Sequence, residues 1–143
     1  MPFTLHPLLP PDIPPCTTLY FTAFQNPHSL ACWPRNHSPV RAWWETMIRT
    51  ELHEPGSQWL KAVSDETGEM AGFCKWRRFG EGEEVGTGLP EWPAGADARL
   101  CQETFGDWAG RHPVLMGGRG HWCQSFHFSR CWLVVGCGVL TVR

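Results

Sequence analysis

The most regular pattern of hydrophobic and polar positions lies in residues 38–56 and predicts an amphipathic helix. Its apolar residues recur at i, i+3, i+4 and i+8: Trp44, Met47, Ile48 and Leu52. Ser38 suits the N-cap, and Pro39 suits the first helical position, where its missing N–H costs nothing. Pro55 and Gly56 then end the helix.

Weaker patterns predict five further elements. They are a strand within residues 3–9, a short helix within 16–27 that ends at Pro27, hairpin strands at about 58–64 and 69–79, and a helix at 96–112. The turn residues 65–68 separate the two hairpin strands, and Asp97 caps the last helix, which Pro113 closes. Helices and strands alternate in a chain of 143 residues, long enough for one domain. The fold class is therefore α/β, with α+β as the alternative.

Composition narrows the function classes. A formal net charge of -2 gives no reason to expect nucleic acid or an anionic membrane as a partner. The first residues have no basic leader followed by an apolar run, so no signal peptide is expected. The seven cysteines are scattered and odd in number, which favours reduced thiols and a cytoplasmic protein.

Four segments carry a resemblance to a known family: FTLHPLLPPDIPP, SPVRAWWETMIRTE, QWLKAVSDETGEMAGFCKW and LPEWPAGADARLC. In the order strand, two helices, hairpin and helix, they resemble the N-terminal part of the GNAT-type N-acetyltransferases, fungal members in particular. The resemblance covers roughly residues 3 to 122. It implies an incomplete GNAT-like acyl-CoA N-acyltransferase fold with a mixed central sheet. It also implies transfer of an acetyl group from acetyl-CoA to an amine of a small molecule or peptide.

Members of this family hold the cofactor pyrophosphate in an R/Q-x-x-G-x-G/A loop at a helix N-terminus, where free N–H groups suit an anion. The one literal match is RRFGEG at residues 77–82. It follows the hairpin too early in the order, three glutamates adjoin it, and no helical pattern comes after it. GGRG at 117–120 lacks the motif's spacing and precedes a strand-like segment. Weak or absent acetyl-CoA binding is therefore expected.

The resemblance stops after Trp122. Residues 123–143 contain no acidic residue, and Arg130 and Arg143 are their only charges. We therefore expect residues 1–122 to be the N-terminal portion of a GNAT-like domain. Residues 123–143 would be a divergent apolar, cysteine-rich tail derived from a shifted reading frame or a retained intron.

The tail invites two other interpretations. His121, Cys123, His127 and Cys131 are all residue types that bind zinc, but no C-x-x-C pair is present and apolar residues interrupt the series. Free thiols explain them better, and no metal site is predicted. The apolar run WLVVGCGVL is far shorter than the ~20 residues that a membrane-spanning helix needs.

Candidate residues for a substrate pocket are Trp33 and Arg35, in the connection between the first two helices, and Trp76 in the hairpin. In the resembling family that connection shapes the acceptor pocket, whereas ordinary tryptophan packing is the alternative. Cys101 and His112 are assigned to core packing and to a solvated helix face, and no residue receives a catalytic role. The function implied is an impaired N-acetyltransferase. The alternatives are a non-catalytic fragment or interaction protein and, with less support, a small zinc-binding protein.

Overall fold

The computed structural model describes residues 2–84, 86 and 88–128. Within these residues, four strands and four α-helices follow one another, with one 3-10 turn. In chain order they are β1 (Phe3–Pro7), the 3-10 turn (Pro10–Asp12), α1 (Ile13–Ala23), α2 (Pro27–Cys32), α3 (Ser38–Glu51), β2 (Ser57–Ser64), β3 (Met70–Phe79), α4 (Ala98–Met116) and β4 (His121–Phe128). The predicted combination of helices with a sheet, and the predicted hairpin, are confirmed.

The strands form one sheet in the order β1-β2-β3-β4, and each neighbouring pair is antiparallel. The resemblance implied a mixed sheet, so the described strands depart from that expectation. The reason lies in where β4 begins. Gly120 lies against the backbone of Phe79 and Gly80, so β4 starts beside the end of β3 and runs back along it. Such a connection produces an antiparallel pair.

The first helical region consists of two helices rather than the one predicted at 16–27. Pro14 and Pro15 occupy the first turn of α1, where proline is tolerated, so α1 starts earlier than expected. Pro27 begins α2 instead of ending α1, and the Asn26 side chain accepts a hydrogen bond from the Ser29 N–H as its cap. Buried positions on α1 recur with helical spacing: Ile13, Cys16, Thr17, Tyr20 and Phe21.

The predicted end of the last helix at Pro113 is wrong. Asp97 caps α4 as expected, accepting a hydrogen bond from the Leu100 N–H, but the helix continues through Pro113 to Met116. A proline inside a helix removes one backbone hydrogen bond without always ending it. The helix stops where Gly117 adopts a left-handed conformation with φ of 54°.

One layer of helices covers one face of the sheet and forms the core with it. The buried residues include Ile13 and Tyr20 from α1, Trp44 and Ile48 from α3, and Cys101 from α4. The sheet contributes Trp59 and Phe73, whose rings stack with centroids 6.3 Å apart. Because strand residues alternate between faces, Lys75, Arg77 and Phe79 share the helix-covered face of β3 with Phe73.

Candidate functional site

The three residues predicted for a substrate pocket lie in different surroundings. Trp33 is only 3% exposed and belongs to the core. Arg35 is exposed in the connection between α2 and α3. Trp76 alternates with Lys75 and Arg77 on β3, so it occupies the face of the sheet opposite the core, where its ring meets Trp122 at a centroid distance of 6.4 Å. The structure therefore does not bring Trp33 and Trp76 together, and a role for these residues in binding stays a prediction.

Trp33 is the centre of an aromatic cluster between α2, α3, α4 and the loop that follows β3. Its ring stacks on Trp43 at 5.4 Å and also contacts Trp44, Trp92 and Phe105 at 5.6–5.8 Å. Trp43 also donates from its indole nitrogen to the Glu91 carbonyl, 3.0 Å away. Aromatic rings at these distances are in direct packing contact, so the cluster holds the loop after β3 against the helices.

The backbone of RRFGEG is already hydrogen-bonded within the protein. The Gly80 N–H donates to the Glu83 carboxylate at 2.7 Å, and the Gly82 N–H donates to the Gly118 carbonyl at 2.8 Å. The Arg77 guanidinium forms ion pairs with Glu54 and Glu83. A pyrophosphate here would have to displace a carboxylate from the donors it needs. The described part of this loop therefore does not fit that group.

GGRG, residues 117–120, ends α4, and the hydrogen bonds that its Gly117 and Arg119 donate are made to that helix. The Gly117 N–H donates to the Pro113 carbonyl and the Arg119 N–H to the Met116 carbonyl. The Arg119 guanidinium also donates to carbonyls of the last helical turn, those of Leu115 and Met116. A cation on the free carbonyls complements the negative end of the helix dipole, so this arginine is a C-terminal cap.

A network of charges at the end of α3 was not predicted from the sequence. Lys75 projects from β3 between two carboxylates, with its Nζ 2.9 Å from Glu51 and 2.8 Å from Glu54. Glu54 also accepts hydrogen bonds from Arg77 and Ser57. Burial acts to raise the pKa of Glu54, but the hydrogen bond from Lys75 and the nearby cations outweigh it and lower that pKa. These groups satisfy one another and fix α3 to the hairpin.

The buried thiols have the surroundings of packed side chains rather than nucleophiles. Burial, helped by a nearby carboxylate, raises the pKa of both Cys16 and Cys101 to about 12. A thiol of that kind contributes almost no thiolate near neutral pH. The assignment of Cys101 to core packing agrees with this, since its side chain is fully buried against Cys32.

The possible zinc ligands are only partly within the described residues. His121 and Cys123 both lie on β4 and share one face of the strand, whereas Cys131 lies outside the described residues. Within residues 2–84, 86 and 88–128, no group of three or more His, Cys, Asp or Glu side chains is placed to hold a metal ion. No helix in that same part of the chain is long and apolar enough to cross a membrane.

Sequence reasoning missed the pairing of His112 with His121. Their Nε2 atoms lie 2.7 Å apart, which joins the last turns of α4 to the first residue of β4. His121 is 3% exposed and stacks on Phe79 at a centroid distance of 4.9 Å. No spacing rule places these two histidines together, because the turn at Gly117 and the docking of β4 on β3 determine the contact.

None of the protein-family models matches this sequence, and no curated protein matches it either. Among solved structures, the chain is similar to one from Corynebacterium glutamicum described as histone acetyltransferase HPA2 and related acetyltransferase. The two are 19% identical with a TM-score of 0.47, and the similarity covers 85% of this chain and 75% of the other. At that level the similarity establishes no activity for this chain.

Proposed function

We propose that this chain is an N-acetyltransferase-like domain that binds acetyl-CoA weakly. The observation that carries the first part is the order of its elements. A strand, two helical segments and an antiparallel hairpin follow one another from β1 to β3, as the resemblance of the sequence segments implies. α4 and β4 then extend the same sheet.

The second part of the proposal rests on the two glycine-containing loops. In residues 77–84 the amides of Gly80 and Gly82 are already bonded to other groups of the protein. In residues 117–120 the amides of Gly117 and Arg119, and the Arg119 guanidinium, bond to carbonyls of α4. These two loops therefore offer few free donors to the pyrophosphate of acetyl-CoA, and no step of acetyl transfer is assigned to them.

For the acceptor, we propose an amine of a small molecule or peptide. Arg35 and Trp76 are the candidate residues that are accessible to solvent. Arg35 is exposed in the loop between α2 and α3, and Trp76 is half-buried on β3. Trp33 would act indirectly, since it holds the helices from which that loop projects.

Acetyl transfer to a panel of polyamines, amino acids and lysine peptides tests this proposal. Mass spectrometry of the products should detect transfer above the uncatalysed rate only at millimolar acetyl-CoA. Arg35→Ala should then raise the KM for the amine, whereas Arg99→Ala, on an exposed part of α4, should leave it unchanged. No transfer at any concentration would contradict the acyltransferase assignment. Saturation at micromolar acetyl-CoA would instead contradict the conclusion about the loops.

A further inference from the structure

The pair formed by His112 and His121 has a defined arrangement of protons. The Nδ1 atom of His121 lies 2.7 Å from the Arg119 carbonyl, which only accepts, so Nδ1 carries the hydrogen. The Nε2 atom of the neutral His121 is then an acceptor, and the Nε2 atom of His112 donates to it. The one hydrogen between the rings is therefore supplied by His112.

This arrangement limits how many protons the closed pair can bind. A proton added to His121 would place two N–H groups against each other across 2.7 Å and would remove the hydrogen bond. A proton added to His112 at Nδ1 leaves the bond intact but creates a charge in a half-buried position. When the rings separate and reach water, each imidazole can bind one proton with a pKa of about 6.5.

The surroundings oppose a charge on the closed pair. The Phe79 ring packs against both imidazoles, and the Arg77 guanidinium lies 4.7 Å from its centroid. Burial, together with repulsion from Arg77, lowers the pKa of His112. The other charged groups on the neighbouring elements have partners of their own. Glu54 and Glu83 pair with Arg77, Asp107 pairs with Arg111, and Arg119 donates to carbonyls of α4. The remaining titratable group is Cys123, which lies on β4 with His121.

We propose that His112 and His121 form a proton-operated latch that holds the end of α4 on β4 and opens on acidification. The magnitude follows from proton counting. If the closed pair takes no proton and the open pair takes two, the ratio of open to closed molecules rises about 100-fold between pH 7.5 and 5.5. If His112 took one proton in the closed state at its ordinary pKa, the rise would be about 10-fold.

Hydrogen exchange of the full-length chain, followed by mass spectrometry and corrected for the intrinsic pH dependence of exchange, measures this opening. Peptides that cover residues 110–124 should show the rise of about 100-fold, with a slope approaching two protons. Peptides from the β2–β3 hairpin should respond much less. In parallel, imidazole ¹⁵N spectra at pH 7.5 should show His121 as the neutral tautomer with its hydrogen on Nδ1.

His112→Gln is the decisive variant because a glutamine amide can still donate to His121 but does not titrate. It should reduce the rise to about 10-fold and the slope to one proton. His121→Gln serves in its place if His112→Gln does not fold. The matched control, His53→Gln, changes an exposed histidine and should behave as the wild type does.

Three results would overturn the latch. The first is a change of less than about 3-fold in the wild type over this pH range. The second is a slope that His112→Gln leaves unaltered. The third is an equal response in the hairpin peptides, because the acid-induced opening would then be unfolding of the whole chain.

Discussion

Replacing Trp33 by alanine should cost about 3–5 kcal/mol of the free energy of unfolding. A buried tryptophan removes about 150–250 Å² from water, which at about 25 cal/mol per Å² corresponds to about 4–6 kcal/mol. Residual compaction of the unfolded chain reduces this by roughly 10–40%. The resulting estimate agrees with the range of about 3–5 kcal/mol for tryptophan-to-alanine changes in protein cores.

Urea denaturation followed by circular dichroism at 222 nm is the suitable assay, because nine tryptophans complicate fluorescence. Trp108→Ala is the matched control, since Trp108 is 55% exposed and its ring meets Phe105 at the edge of the same cluster. It should cost less than about 1 kcal/mol. If Trp33→Ala leaves too little folded protein to measure, Trp33→Phe should fold with an intermediate loss. A loss for Trp33→Ala no larger than that of Trp108→Ala would refute the packing role.

Three further predictions concern the loops, the charge network and the thiols. Gly95→Ala should destabilise the chain by about 1–3 kcal/mol more than Gly68→Ala in the same urea assay. Both glycines have positive φ, but only a Cβ at position 95 would collide with a side chain, the imidazole of His37. Equal losses for the two variants would contradict that contact. Glu54→Gln should cost about 1–2 kcal/mol at neutral pH. Because the pKa of Glu54 is lowered in the folded chain, its contribution to the free energy of unfolding is present above its ordinary pKa and is lost as the pH falls through the folded-state value. Urea titrations of the variant and the wild type should therefore converge in acid. A difference that stays constant with pH would contradict this role of the Glu54 carboxylate. Cys101 should resist iodoacetamide at pH 8 in the folded chain and react with it in urea. Mass spectrometry of the labelled peptides measures this difference. Rapid labelling of Cys101 in the folded chain would contradict its burial.

The elements whose signals are local were predicted well from the sequence. The amphipathic stripe of α3 and the turn between β2 and β3 need only neighbouring residues. The start of α3 and the bounds of both hairpin strands are observed within one residue of the prediction, whereas α3 ends at Glu51, before the predicted stop at Pro55 and Gly56. The two prolines were misjudged because their effect depends on context. Pro27 begins a helix that Asn26 caps, and Pro113 is carried inside α4. Proline excludes some backbone bonds, but it does not determine on which side of it a helix forms.

The candidate site was harder to predict because its contacts join distant parts of the chain. The acidic residues around RRFGEG argued against an anion site from the sequence, and one of them, Glu83, accepts a bond from the Gly80 N–H. The bond from Gly82 to Gly118, however, depends on how the end of α4 meets the hairpin. Likewise, the placement of Trp76 opposite the core follows from strand register, which the sequence pattern around it did not determine. Pairing of His112 with His121 depends on both the helix end and that register.

Isothermal titration of the full-length chain with acetyl-CoA tests the central claim most directly. The claim is that an acetyltransferase-like order of elements is present without a loop that can hold the pyrophosphate. We expect a Kd weaker than about 1 mM, which corresponds to less than about 4 kcal/mol of binding free energy. Glu83→Gln, which weakens the competition for the Gly80 N–H, should tighten binding by no more than a few fold, because the Gly82 N–H stays bonded to the Gly118 carbonyl. Micromolar binding by the unmodified chain would contradict the account.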